Sequence, residues 1–293
     1  MSAAWTWIRY YALNIYAGLA ILYMLLPIIL IAVFSFNDPE GKFNYTWQGF
    51  TLSHWENAFG IPELNDALLK SLELAALSTL FSTALGTLIA LALVRHEFFG
   101  RRTANFLIVI PMATPEVVIG AALLSMFLLY GLNLGFTTLL IAHIMFQISF
   151  VVVVVRSRLI GFDRSLEEAA RDLGASAATT FRTITLPLLM PGLIGAALLA
   201  FALSIDDFVI SNFNSGTTVT FPLFIYGAAQ RGIPVEVYVL GTILFAVTVA
   251  AMLFTVWQQR RAEKLAAMRP DDELDPAFAP VATGGRPVAE ERA

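Results

Sequence analysis

Residues 165–187, SLEEAARDLGASAATTFRTITLP, are charged, amphipathic and helix-prone, yet they separate two of the most apolar runs in the chain. The local physics predicts two short helices. Ser165 followed three residues later by Glu168 forms the pattern of a capping box, which starts a helix at that point. Leu166, Ala169, Ala170 and Leu173 recur at i, i+3, i+4 and i+7, one face of that helix. Gly174 suits the left-handed position past a helix end. Ser176 can cap a second helix running to about Thr185, and Pro187 then opens the next apolar segment at a position that tolerates proline.

The surroundings of this stretch are those of a membrane protein. Apolar residues make up 58% of the 293 and charged residues 14%, whereas a soluble domain is about half apolar and about a quarter charged. Runs long enough to cross a bilayer occur at 14–34, 72–94, 104–130, 134–155, 188–212 and 238–257. The first is read as a span rather than a signal peptide, because VFSFNDPEGK follows it and offers no small-residue cleavage site. The net charge of −4 says little, since in membranes the location of charge matters more than its sum. With the N-terminus inside, only Lys42, Lys70 and Arg231 of the 18 Lys and Arg residues fall in outer loops, so both termini are expected in the cytoplasm.

That orientation sorts the connecting pieces. Residues 35–71 are the main outer loop, with Phe43, Tyr45, Trp47, Phe50, Trp55 and Phe59 reading as an interfacial aromatic belt. GLN at 131–133 is a tight outer turn, 213–237 a second outer loop, and the tail beyond Arg269 is polar enough to be disordered. The expected organisation is a first span and outer loop at 1–70, a transmembrane core at 71–260 with a cytoplasmic loop at 156–187, and a tail at 261–293.

Several chemistries are excluded outright. No cysteine is present, which removes disulfides, thiolate metal sites and a cysteine nucleophile. The three histidines, His54, His96 and His143, fall on separate segments, so a histidine-rich metal site is not expected. No G-x-x-x-x-G-K-[ST] loop occurs, so this chain does not hydrolyse ATP. No nucleic-acid partner is expected.

The spacing Glu168-Ala169-Ala170, three residues, Gly174, nine residues, Ile184, one residue, Leu186-Pro187 resembles the EAA motif of ABC importer permeases. The resemblance implies an all-α integral membrane protein with the type I importer (MetI-like) fold, six transmembrane helices and a cytoplasmic coupling loop. It implies that Glu168, Ala169, Ala170, Gly174, Ile184, Leu186 and Pro187 dock on a separate ATPase dimer, which binds the ATP and Mg, with no cofactor on this chain. A second homologous permease, an extracytoplasmic substrate-binding protein and the bilayer of a prokaryotic inner or plasma membrane complete the expected partners. PMATPEVVIGAALL, TLPLLMPGLIGAALLAFALSIDDFVISNF and RGIPVEVYVLGTIL further resemble the spermidine/putrescine branch, in particular its C-type subunit. Polyamines are therefore the expected cargo. One departure is Lys70, which stands where many members of the branch carry Asn.

Carboxylates within the spans are candidate pathway residues. A charge at mid-membrane costs about 2.5–3.5 kcal/mol on insertion scales and marks a pathway or a pair. Glu116 lies near the middle of the third run, after Pro111 and Pro115, which can kink it; Asp206 and Asp207 lie toward the outer end of the fifth. With the aromatic faces of Phe208 and Tyr226, these acids can offset the lost hydration of a polyammonium cargo. The alternative is that the aspartates sit in the outer interface or hold a partner subunit. Neighbouring helix positions point about 100° apart, so Asp206 and Asp207 cannot face one lumen equally. Glu73 is expected to pair with Lys70. Other readings are a permease for a different cargo or an ion-coupled secondary transporter. An anionic cargo fits Asp206-Asp207 poorly, and a secondary transporter has no use for the 165–187 loop.

Overall fold

The computed structural model describes residues 3–267. Among them the regular structure is helical, with one isolated bridge between Asn37 and Phe50. The helices are α1 (Ala3–Phe34), α2 (Ser53–Glu56), α3 (Pro62–Arg95), α4 (Arg101–Ala113), α5 (Glu116–Leu129), α6 (Phe136–Ile160), α7 (Ser165–Asp172) and α8 (Ala177–Thr180). A π-helical turn (Phe181–Thr185) leads into α9 (Leu186–Ile205), α10 (Val209–Asn214), α11 (Phe221–Ala229) and α12 (Val235–Ala267). The chain forms two compact units, Met1–Leu240 and Gly241–Ala293.

Among the described residues five helices are long and apolar enough to cross a membrane, and a sixth crossing follows if α4 and α5 are counted together. Each apolar run of the sequence lands on one of these, but two runs are not single helices. The run at 104–130 breaks between Ala113 and Glu116, and its halves diverge by 111°. The cause is local. Thr114 precedes Pro115 and is driven out of the helical region, to φ −88° and ψ 134°. The run at 188–212 likewise ends its helix at Ile205 and resumes at Val209. Glu116 is accordingly the first residue of α5, at a break, and not the middle of a straight span.

The loops carry more structure than their composition suggests. In the stretch expected to be a plain interfacial loop, buried Asn37 donates to the side chain of Asn44 at 2.6 Å and accepts from the Gln48 N–H at 2.7 Å. Phe36 stacks on Trp55 with ring centroids 5.0 Å apart, so part of the aromatic belt packs on itself. The stretch expected to be the second outer loop contains α11, whose first N–H, on Phe221, donates to Ser71 of α3 at 2.8 Å. The turn at 131–133 forms as expected around Gly131, at φ 66°. Helix α12 runs on to Ala267, so residues 261–267 are helical where a tail was expected. The expectation of disorder at 268–293 lies outside the described residues.

The core is made where α3, α6 and α9 pack, with Ala90, Leu93, Val151, Val155, Leu189 and Ala196 fully buried. A second cluster joins α5, α6 and α10 through Leu123, Phe127, Ala142, Phe146 and Ile210. Between apolar helices in lipid, close backbone approach replaces hydrophobic driving force, and small residues permit it. Gly86 of α3 is such a position, since a Cβ there would lie 2.6 Å from Val151 of α6. Gly86→Leu is expected to destabilise the bundle by about 1–3 kcal/mol, read as a lower thermal midpoint in detergent. Gly195→Ala, which points into open space, should leave the midpoint unchanged.

Candidate functional site

The two helix breaks lie side by side. Gly120 of α5 faces α10 so closely that a Cβ there would fall 2.8 Å from the Phe213 ring, and Asn214 donates to the Gly120 carbonyl at 3.2 Å. This contact brings the start of α5, where Glu116 lies, toward the break after α9, where Asp206 and Asp207 lie. Glu116 and Asp206 are exposed, and neither meets a cation within ion-pair distance among the described residues.

Asp207 behaves differently from its neighbour. It is only 8% exposed, and its carboxylate caps α10. Oδ1 accepts from the Ile210 N–H at 3.2 Å, while Oδ2 accepts from the N–H and hydroxyl of Ser211 at 2.8 and 2.9 Å. His143 Nε2 stands 3.4 Å from the same oxygen. From there a buried polar chain crosses the bundle. His143 Nδ1 lies 2.8 Å from the Ser204 hydroxyl, Ser204 meets Ser78 at 3.1 Å, and Gln147 joins Ser78 to Ser82 at 3.1 and 2.9 Å. Asp207 was read as a pathway residue, but its oxygens are committed to its own chain. Asp206, about a third of a turn away, remains open.

Phe208 and Tyr226 do come together, with ring centroids 4.7 Å apart, and Tyr226 stays half-exposed. Lys70 pairs with Glu73 at 3.1 Å, so its charge is compensated locally. Among the described residues no group of three or more His, Asp or Glu is placed to hold a metal ion.

At the other end of α3 lies the 165–187 loop. Helix α7 starts on Ser165, but the cap is Asp163, whose carboxylate accepts the Ser165 N–H at 2.9 Å. The Ser165–Glu168 capping box does not form. The Ser165 N–H holds the exposed Asp163 carboxyl below its ordinary value. Gly174 takes the left-handed conformation at φ 85°, and the Ala175 N–H closes a Schellman turn on the Ala170 carbonyl at 3.0 Å. Ser176 caps α8 as expected, accepting from the Thr179 N–H at 3.2 Å. The second short helix does not stop at Thr185, however. The Leu186 N–H bonds the Phe181 carbonyl, five residues back, and this widened turn carries the helix through Pro187 into α9. Proline supplies no N–H and its ring presses on the carbonyl four residues back, which the extra residue of a π turn accommodates.

Of the motif residues, Glu168, Ala169 and Gly174 are exposed, while Ala170, Ile184 and Leu186 are partly covered and Pro187 lies exposed at the start of α9. Leu166 and Leu173, on the stripe expected to be apolar, are 47% and 90% exposed. This chain leaves that face uncovered.

The residue that holds the loop is one the motif does not include. Glu167 is buried, and a single oxygen of its carboxylate accepts from Arg95 of α3 and from the Thr185 hydroxyl. Arg164 adds a bond to the Val94 carbonyl at 3.2 Å. Burial pushes the Glu167 carboxyl up, but the bonds from Thr185 and Arg95, with the Arg171 charge, outweigh it and hold the group below the ordinary glutamate range. A depressed folded-state value contributes stability that is present above the unfolded-state pKa and lost as pH falls through the folded one. Glu167→Gln is therefore expected to speed hydrogen exchange across 165–172 about tenfold or more at neutral pH. Glu168→Gln should not, and wild type should loosen in the same region only in acid.

A family model, the binding-protein-dependent transport system inner membrane component, matches residues 82–264. The spermidine/putrescine permease PotC of Haemophilus influenzae is 35% identical over 248 residues, covering 84% of this chain and 96% of the relative. PotC of Escherichia coli K12 is 40% identical over 232 residues, covering 79% and 87%, and its putrescine permease PotI is 35% identical over 247 residues, covering 81% and 87%. Among solved structures, a bacterial ABC transporter importing the acidic polysaccharide alginate has a similar fold at 19% identity and a TM-score of 0.64, over 89% of this chain and 99% of the other. The methionine transporter MetNI does so at 18% and 0.53, over 68% and 95%. The broken-helix bundle and its uncovered loop thus belong to a multi-pass transport component rather than an enzyme, and the chain is a member of the binding-protein-dependent inner membrane component family, a permease subunit of an ABC importer.

Proposed function

We propose that this permease subunit supplies half of a polyamine pathway, with Glu116 and Asp206 facing the cargo, and that α7 docks on a separate ATPase subunit. The observation that carries the cargo assignment is the pair of adjoining helix breaks, each presenting an exposed carboxylate with no cation partner. A di- or polyammonium ion must shed water to cross, and two carboxylates at adjoining breaks offset that loss. The Phe208–Tyr226 rings add π faces for ammonium groups. The spermidine/putrescine relatives point to the same cargo, and the internal Lys70–Glu73 pair removes the one cation that opposed it.

In this reading a second, homologous permease completes the pathway and an external binding protein delivers cargo. ATP and Mg are held by an ATPase dimer, whose closure moves α7. The arginines clustered at the α7 end support a cytoplasmic location for that end, and both termini are read as cytoplasmic with it. Leu166 and Leu173 form the docking face, Gly174 sets the turn behind it, and Asp207 positions Asp206 by capping α10.

Docking is tested at Gly174. Its surroundings are open, so a larger side chain acts only through the left-handed backbone, at about 1–2 kcal/mol. Gly174→Leu is expected to reduce ATPase co-purification while lowering the thermal midpoint of the permease by about 2–4 °C at most; full co-purification and uptake would refute the assignment. Cargo is tested by ATP-dependent uptake of labelled putrescine and spermidine into proteoliposomes containing the complete transporter. Asp206→Asn and Glu116→Gln are each expected to raise KM about tenfold or more with assembly intact. Wild-type uptake unaffected by either variant removes both carboxylates from the pathway.

A further inference from the structure

At the α7 end of the bundle, α3, α4, α6 and the loop before α7 surround a cavity of about 330 Å³ that no part of the proposed transport cycle uses. Its lining combines two chemistries: the guanidinium-bearing Arg101, Arg156 and Arg164, and apolar residues that include Val94, Ile160 and Phe162. Among the described residues the three guanidiniums meet one carboxylate, the highly exposed Glu97, at 3.8 Å from Arg101. The neutral partners are the Asn105 side chain, 2.6 Å from Arg156, and the Val94 carbonyl, 3.2 Å from Arg164. These bonds fix two of the guanidiniums in place without neutralising them, and each keeps further N–H groups available.

Three cations held around an apolar-walled cavity call for an anion that also carries hydrocarbon. A free phosphate satisfies the arginines but not Val94, Ile160 and Phe162. The adjoining α3–α4 connection supplies the location: Phe98 is half-exposed and Phe99 fully exposed beside Gly100, an arrangement that inserts aromatic rings at a membrane surface. Basic pockets between transmembrane helices on the cytoplasmic side bind the headgroups of anionic lipids. We propose that this cavity is a binding site for the phosphodiester headgroup of an anionic phospholipid, with the guanidiniums on the phosphate and the apolar wall on the first acyl carbons. Arg164 connects the site to Val94 next to Arg95, so the lipid braces the same corner of the bundle as the Glu167–Arg95 pair.

The assignment uses the reading of the α7 end as the cytoplasmic membrane face, but its test reads lipid retention rather than uptake, so the two fail separately. The assembled transporter is delipidated in detergent, and dioleoyl phosphatidylglycerol, dioleoyl phosphatidylcholine or inorganic phosphate is titrated in, with bound species counted by native mass spectrometry. Wild type is expected to retain phosphatidylglycerol in preference to phosphatidylcholine. Arg156→Gln and Arg164→Gln should each lower that retention about fivefold, while Arg102→Gln, an exposed arginine outside the cavity, should not. Because Arg156 also holds Asn105, Arg164→Gln is the decisive variant if Arg156→Gln fails to fold. Equal retention of the two lipids, or phosphatidylglycerol retention unchanged in a folded Arg164→Gln, overturns the site. Retention of inorganic phosphate that depends on Arg164, without a preference for phosphatidylglycerol, overturns the lipid and leaves a soluble anion in its place.

Discussion

Lipid donates no hydrogen bonds, so a helix interrupted within the membrane must satisfy its free backbone groups from inside the protein. The candidate pathway depends on how that constraint is met at two places. After α9, the Asp207 carboxylate takes up the N–H groups of Ile210 and Ser211 and starts α10 afresh. Beside it, Asn214 donates to the Gly120 carbonyl, tying α10 to the first turns of α5. Pro115 has no N–H to satisfy, and its carbonyl receives those of Val118 and Ile119. Breaks that are met in this way can be kept open, which frees Asp206 and Glu116 to present charge.

Helix α3 connects these breaks to the rest of the molecule. Ser71 receives the first N–H of α11, near Tyr226; Ser78 and Ser82 join the polar chain through His143 and Gln147. Gly86 lets α6 close on the helix, and Arg95 holds Glu167 of the 165–187 loop. At 1.5 Å per residue, Ser71 and Arg95 are about 36 Å apart, roughly the thickness of a membrane. One rod therefore touches the α11 end, the buried network and the loop, which is the geometry a transport component needs if events on one side are to be felt on the other.

Much of this was legible before any coordinates. Four of the six apolar runs, the left-handed Gly174, the Ser176 cap and the Lys70–Glu73 pair all follow from short-range rules, and each appears where those rules put it. The buried polar chain also leaves a trace in the sequence, because Ser78/Ser82 and His143/Gln147 are i, i+4 pairs within apolar runs. Adjacent identical residues were harder. Glu167 and Glu168 differ only in which side of α7 they occupy, and an error of one residue at the cap reverses them. Asp206 and Asp207 pose the same problem, since the end of α9 decides which one turns inward.

The chain by itself determined that it lives in a membrane, how many times it can cross, and where a soluble-looking loop interrupts the crossings. These follow from hydropathy and from backbone preferences of single residues, which act over one or two turns. Tertiary packing alone decided that Asp207 is spent on a cap while Asp206 is free, and that Glu167, outside the motif, anchors the loop. The reason is physical: a carboxylate is neither structural nor functional until something distant supplies, or withholds, its hydrogen-bond donors.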